Sequence, residues 1–320
     1  MRNRTDSLGR LILGRLGQAL LVALVVGVVS FAMMQALPGD AAFRIAAGRY
    51  GYDMMDAAAA AAVRNELGLD RPLLVQLGAW LGQLATLDLG TSMVSGEPVW
   101  DEIAHQLGAS VMLAGAAILL SLLIAVPLGA AAGLNPGGRF DRAMLALSVM
   151  LRSVPAFALG LVLMLLLAVE AGLLPVAGYG EPRHFVLPAL TLALGLAAVS
   201  NRVIRDAVAD AVASPWHAFA RTKGLDRRAT LTRHVARNAA VPTVAYVGVQ
   251  LAYLIEGVVI IESVFSWPGI GHALVHAIFE RDVPMVQGTA LTLGLIFVGL
   301  SLAVDLACRA LDPRGAARLT

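Results

Sequence analysis

Eight basic side chains stand between Asn201 and Pro242: Arg202, Arg205, Arg221, Lys223, Arg227, Arg228, Arg233 and Arg237, against Asp206, Asp210 and Asp226. Such an island offers electrostatic chemistry. It can hold a membrane chain in one orientation, or pair with the carboxylates of a partner. A second constellation is His272, His276 and Glu280, spaced i, i+4, i+8. Neighbouring members could share a metal ion, or the helix could simply lie amphipathically at a membrane surface. His105, His184, His217 and His234 are isolated and suit loop or snorkelling roles. The only lysine, Lys223, precedes Gly224 instead of following a glycine-rich run, so no phosphate loop is present. No serine, histidine and carboxylate assemble into a triad pattern, and no paired carboxylates fall within one apolar run. The charges that do fall in apolar runs are Arg152 and Glu256; the latter shares a helical stripe with Gln250, Tyr253 and Gly257.

The elements that carry these residues are membrane spans. The chain is 58% hydrophobic and 14% charged, with mean hydropathy +0.76, whereas soluble domains carry about 25% charged residues. Six runs approach the roughly 20 residues needed to cross the hydrocarbon core: Leu16 to Leu37, Val111 to Gly133, Ala143 to Val169, Phe185 to Asn201, Ala239 to Ile261 and Val283 to Val304. Arg2, Arg4, Arg10 and Arg15 precede the first, which reads as a retained span because no cleavage site follows it. Six spans put both termini on one side. That side takes 18 of the 24 Arg and Lys residues, which predicts cytoplasmic termini. The single cysteine, Cys308, excludes an internal disulfide framework.

The first loop, Pro38 to about Leu107, is acidic and polar and belongs outside the membrane. Ala57 to Glu66 reads as a helix ending near Gly68, and Pro72 to Leu84 as a second with proline as its first residue. Asp88 to Pro98 is turn chemistry, and Tyr50 to Met55 has no assignment. Pro127, Pro155 and Pro188 lie within or at the ends of spans, where a missing donor can kink a helix. Gly129, Gly133, Gly160, Gly195 and Gly299 read as close-packing positions. After span five, a turn, a short amphipathic helix and a second turn are predicted. Within the basic island, Gly224 breaks a helical pattern and a second basic helix follows, giving a helix, turn and helix outside the bilayer.

On these residues the chain resembles the inner-membrane permease subunits of binding-protein-dependent ATP-binding-cassette (ABC) importers, in the peptide/nickel branch. Those permeases carry a cytoplasmic "EAA loop" with an alanine four residues before a glycine. In Ala218-Phe219-Ala220-Arg221-Thr222-Lys223-Gly224-Leu225, Ala220 and Gly224 stand at those places. Ala218 replaces the loop's glutamate and Phe219 its first alanine, departures common in the peptide branch. Glu66 to Leu73, Asp88-Leu89-Gly90, Arg233 to Pro242, Val264 to Gly271 and Leu311 to Arg314 are also similar to that branch, in the same order.

The resemblance implies an all-α, six-helix type I importer permease, and a transport subunit rather than an enzyme. It implies a coupling loop over 201–242, with Ala218, Phe219, Ala220, Arg221, Lys223, Gly224 and Leu225 at the contact with an ATPase. It implies a second permease, two ATPase subunits that use ATP and magnesium, and a solute-binding protein, in a bacterial inner membrane. No cofactor is expected on this chain, and no nucleic acid. Glu256, Gln250, Tyr253 and Arg152 are the candidate pathway residues, and His272 with His276 the weak metal candidate. Expected regions are 1–37, the N-terminus and first span; 38–107, the external loop; 108–311, the core domain; and 312–320, the tail. A di- or oligopeptide is the expected cargo, with nickel or another small solute as the alternative. A reading of another class, an ATP-independent transporter or channel, predicts midplane charges in several spans, where only Arg152 and Glu256 come close.

Overall fold

The computed structural model describes residues 2–36, 39–40, 42–43, 46, 57–67, 69–280 and 282–311. The unassigned stretch 50–55 and the tail 312–320 lie outside the described residues, as do the side chains of Arg221, Tyr253 and Glu256. The described chain is helical, with one isolated antiparallel bridge, Thr91 to Pro98. In order the elements are α1 (Arg2–Ala36), α2 (Ala57–Leu67), α3 (Leu73–Ala85), α4 (Val99–Gly133), α5 (Arg139–Ser153), α6 (Ala156–Leu163) and a π-helical segment (Met164–Glu170). Then follow α7 (Pro182–Ala213), α8 (Pro215–Thr222), α9 (Arg227–Thr230), a second π-helical segment (Leu231–Val235), α10 (Ala236–Val264), α11 (Ile270–Glu280) and α12 (Val283–Leu311).

Among the described residues, α1, α4, α7 and α12 are each long and apolar enough to cross a membrane. The helix predicted as one continuous span over Ala143 to Val169 is instead broken: α5 and the α6 segment meet at 102°. The cause is local. Pro155 disfavours helical dihedrals at the residue before it, and Val154 is extended at φ −92°, ψ 126°. Pro127, Pro188 and Pro242, in contrast, sit inside unbroken helices. Counting the bent pair as one passage gives five candidate spans against the six expected. α10 is the remaining one by length, 29 residues. The predicted boundaries were short at several ends. α4 begins at Val99, not Val111, and α7 continues from the apolar run to Ala213, because their polar continuations remain helical. Pro72 precedes α3 as its N-cap and is not its first residue.

The chain forms two compact units, residues 1–109 with 269–299, and residues 110–268 with 300–320. In the first unit, Gly27 of α1 lets α3 approach so closely that a Cβ there would lie 2.8 Å from Leu84, while the Trp80 indole donates to the Gly27 carbonyl at 3.2 Å. Leu84, Leu89, Val99, Ile103, Ile270, Ala277 and Met285 form the core beneath. Asp282 ties its pieces together. One carboxylate oxygen accepts the Met285 N–H at 3.2 Å and caps α12; the other accepts the Met93 N–H at 3.1 Å and the Ser92 hydroxyl.

In the second unit α7 is central. Of its most apolar window 61% is buried, against 11–22% for the other three long helices, whose apolar faces suit lipid or another membrane chain. Gly129 and Gly133 of α4 face its backbone; a Cβ would stand 2.7 Å from the Asn201 carbonyl and 2.5 Å from that of Arg205. Gly160 of α6 abuts Phe265 and Thr191. Gly195 and Gly299 have open space around them, so the close-packing expectation is corrected at those two positions.

Candidate functional site

The basic segment folds as a helix, turn and helix. α8 ends in a left-handed glycine: Gly224 has φ +78°, and the Leu225 N–H donates across it to the Ala220 carbonyl at 3.2 Å. This is the pairing of a Schellman cap, which satisfies an end carbonyl that would otherwise lack a donor. Asp226 then caps α9, its carboxylate accepting the Arg228 N–H at 3.2 Å. The result is a projection capped on both sides of its turn. Phe219 is 60% exposed, and the Lys223 ammonium lies 4.6 Å from its ring centroid. Ala218 and Leu225 are also exposed, Ala220 is half-buried, and the Trp216 ring lies tilted beside His234, centroids 6.2 Å apart. An aromatic ring held out beside a cation suits a partner groove better than open water.

Behind this projection, an ion cluster fixes the end of α7. Asp141, buried in the first turn of α5, accepts Arg205 through Nε at 2.9 Å and Nη2 at 2.6 Å, Arg202 at 3.3 Å and the Gly137 N–H at 2.8 Å. Arg205 also reaches Asp206 at 2.8 Å. Sequence reasoning missed this cluster and counted both arginines as part of an undivided basic island. The available signal was a lone aspartate opening a helix between Arg139 and Arg142. A second pairing it missed is Glu262 of α10, fully buried, which accepts the Ser110 hydroxyl at 2.5 Å.

An open-sided cleft of ≈ 430 Å³ runs between the α5–α6 bend, α7 and α10. Its walls are chiefly leucine, valine and isoleucine. Gln250 and Gly257 of the predicted stripe line it, and so does Arg152 from the last turn of α5. Gln250 is 1% exposed. Of the four candidate pathway residues, the structure brings Arg152 and Gln250 to one surface; Tyr253 and Glu256 follow on α10 with side chains outside the described residues.

The predicted short helix after α10 is α11. His272 and His276 lie ring against ring, centroids 4.5 Å apart. Burial, and then the charge of His276, push the His272 pKa below its usual 6.5. Among the described residues no three His, Cys, Asp or Glu side chains form a group able to hold a metal ion, so this pair gains no third ligand. The turn before it builds a corner: Trp267 is buried against Tyr179 at 4.9 Å and Phe185 at 5.5 Å, and Ser266 takes φ +51°.

A family model described as "Binding-protein-dependent transport system inner membrane component" matches residues 125–316, and the corresponding N-terminal model matches residues 8–114. A Brucella abortus protein with the provisional name of peptide transport system permease is 36% identical over 312 residues, 95% of this chain and 98% of its own. Glutathione transport system permease proteins of Salmonella choleraesuis and Pectobacterium atrosepticum are 37% and 38% identical, each over 91% of this chain and 93% of their own.

Proposed function

We infer what the exposed turn and the cleft do from one premise: the chain belongs to the family of binding-protein-dependent transport system inner membrane components. It is a permease subunit of an ABC importer, and its relatives' cargo points to peptides. The chain supplies half of the transmembrane pathway, and a second permease supplies the other half. Two ATPase subunits bind and hydrolyse ATP with magnesium, and a solute-binding protein delivers cargo from outside. Both termini and the basic turn lie in the cytoplasm, in keeping with the positive-inside distribution of arginines.

The observation that carries the coupling role is the Gly224 turn, which holds Phe219 and Lys223 out of the bundle beside Leu225. Phe219 enters an apolar groove of the ATPase and the basic groups meet its acidic rim. Closure of the ATPases on ATP pulls this projection. The pull passes along α7, which the Asp141 cluster locks to α5, and alternates access to the cleft. Arg152 and Gln250, which line the cleft, belong to the pathway, and Tyr253 and Glu256, which follow Gln250 in sequence on α10, are its further candidates.

Two measurements on one tagged strain test this. Affinity purification in mild detergent should recover an ABC ATPase and a second permease with the chain. Uptake of radiolabelled trialanine by cells should be lost on deletion of the chain and restored by its return. Recovery of the chain alone, with trialanine uptake unchanged by deletion, would refute the reading.

A further inference from the structure

Helix α3, Leu73–Ala85, has the composition of a membrane segment and too little length to cross one. Its 13 residues carry no charge, and at 1.5 Å per residue they reach about 20 Å, against roughly 30 Å for a hydrocarbon core. An apolar run of this size is a buried core helix, a signal segment or a segment dipped into one leaflet. It is no signal segment, since it follows the span α1. Nor is it core: within α3 Leu84 alone is buried, and Leu74 is 82% exposed.

The packing against α1 sets its depth. The two helices run antiparallel, with the Gln35 amide donating to Gln76 Oε1 at 3.4 Å near one end, and Leu81, Leu84 and the Trp80 indole gathered on Gly27 further along. Gly27 lies within the apolar stretch Leu8–Met33, six residues before its end, which is about 9 Å along the helix. Helices that lie in a membrane interface sink by about 5–10 Å. Turned away from α1, Val75, Ala79 and Gly82 are exposed, as are Val28, Val29 and Met33 of α1 itself. The uncharged surface of the span thus continues onto α3.

Both ends of α3 meet the condition for leaving water, which is that backbone groups find partners within the protein. At the inner end, the Gly82, Gln83 and Leu84 carbonyls accept the N–H groups of Thr86, Asp88 and Leu87 at 3.2, 2.9 and 3.1 Å. The Thr86 hydroxyl adds a second donor to Gln83, at 2.9 Å. At the outer end, Gln76 Nε2 donates to the Leu69 and Arg71 carbonyls at 2.9 and 2.7 Å. Past the inner turn Asp88 is exposed, and a carboxylate at that depth requires water.

We propose that α3 is seated in the outer leaflet, with its Val75 to Gly82 face against lipid acyl chains and the turn at Asp88 open to a wet cavity. For this helix that replaces the expectation of an external loop over 38–107. The inference rests on α1 crossing with its N-terminus in the cytoplasm and holds for any cargo.

The assembled transporter tests it, with Cys308→Ala in the full chain and single cysteines introduced by Ala79→Cys, Gly82→Cys, Asp88→Cys and Ser95→Cys. A Cβ at Gly82 meets nothing within 4 Å, and wild-type yield of each complex shows that assembly is intact. An impermeant thiol reagent added outside spheroplasts should label positions 88 and 95 readily. Positions 79 and 82 should react about tenfold more slowly or less, because apolar surroundings that raise a thiol pKa by one unit cut its thiolate tenfold. Bimane attached at 79 or 82 in detergent should lose emission in nanodiscs of brominated phosphatidylcholine relative to the unbrominated lipid, and bimane at 95 should not. Labelling at 79 and 82 as fast as at 95 returns α3 to an external loop. Slow labelling there without quenching puts a protein such as the second permease on the face, and slow labelling at 88 closes the turn to water. Each of these overturns the proposal. Failure to label 95 from outside overturns it at its premise, the orientation of α1, and so is distinguishable from the rest.

Discussion

Replacing Gly224 separates a conformational role from a steric one. A Cβ at this position would meet nothing within 4 Å, so Gly224→Ala costs only what an L-residue loses in the left-handed region at φ +78°. That cost is about 1–2 kcal/mol, or roughly a five- to thirtyfold fall in occupancy of the turn. Proline is a different case. It fixes φ near −65°, so φ would have to rotate by about 143° from +78°, and it pushes Lys223 out of the helical region. The Leu225-to-Ala220 bond and the Lys223-to-Phe219 bond then both fail, and Phe219 loses its fixed direction. Measured as uptake per assembled chain in membrane vesicles, activity should fall several-fold in Gly224→Ala and vanish in Gly224→Pro. The amount of chain inserted should be unchanged, and recovered ATPase should fall in the same order. Wild-type uptake by Gly224→Pro would refute the coupling assignment, and equal damage by the two variants would refute the conformational argument.

In a cysteine-free background, a cysteine at the exposed Ser95 should react with an impermeant thiol reagent from outside and one at the exposed Thr232 should not; reversed labelling would overturn the orientation. Thr230 is unsuitable for this purpose because it is fully buried. Gly133→Ala should lower the unfolding free energy by about 1–3 kcal/mol, because its Cβ would press on the Arg205 carbonyl and Val208, whereas Gly195→Ala should be neutral to folding. Asp141→Ala and Arg205→Ala should each destabilise the complex by about 3 kcal/mol or more, and the double variant by much less than their sum. Additive losses would show that the ion cluster is not a unit.

The apolar runs, the basic island and the break at Gly224 were legible because hydropathy and glycine act over a few residues. Helix boundaries were not, since α4 and α7 extend by polar turns that resemble loop sequence. The bend at Pro155 was half legible. The proline was noted, but whether an intramembrane proline kinks or breaks a helix depends on what takes up the freed backbone groups, and Pro188 stays in an unbroken helix. The Asp141–Arg205 cluster joins residues 64 positions apart, and the Glu262–Ser110 pair 152 apart. No local pattern announces such pairings. Gln250 was singled out for its stripe, yet the orientation of its amide depends on Leu196 and Ser200, which only the packing of α7 brings near.

The Asp282 clasp also bears on the order in which the protein is made. Ser92 and its carboxylate partner are 190 residues apart, and the unit they close needs residues 269–299 to be complete. At about 5–20 residues per second, a ribosome takes roughly 10–40 s to travel from one to the other. Throughout that interval α3, Leu89 and the start of α4 lack Ile270, Ala277 and Met285, the side chains that later cover them. The segment made first is therefore finished late. Nascent chains stalled short of residue 282 should be cleaved by protease around Ser92, and chains extended past α12 should be protected there.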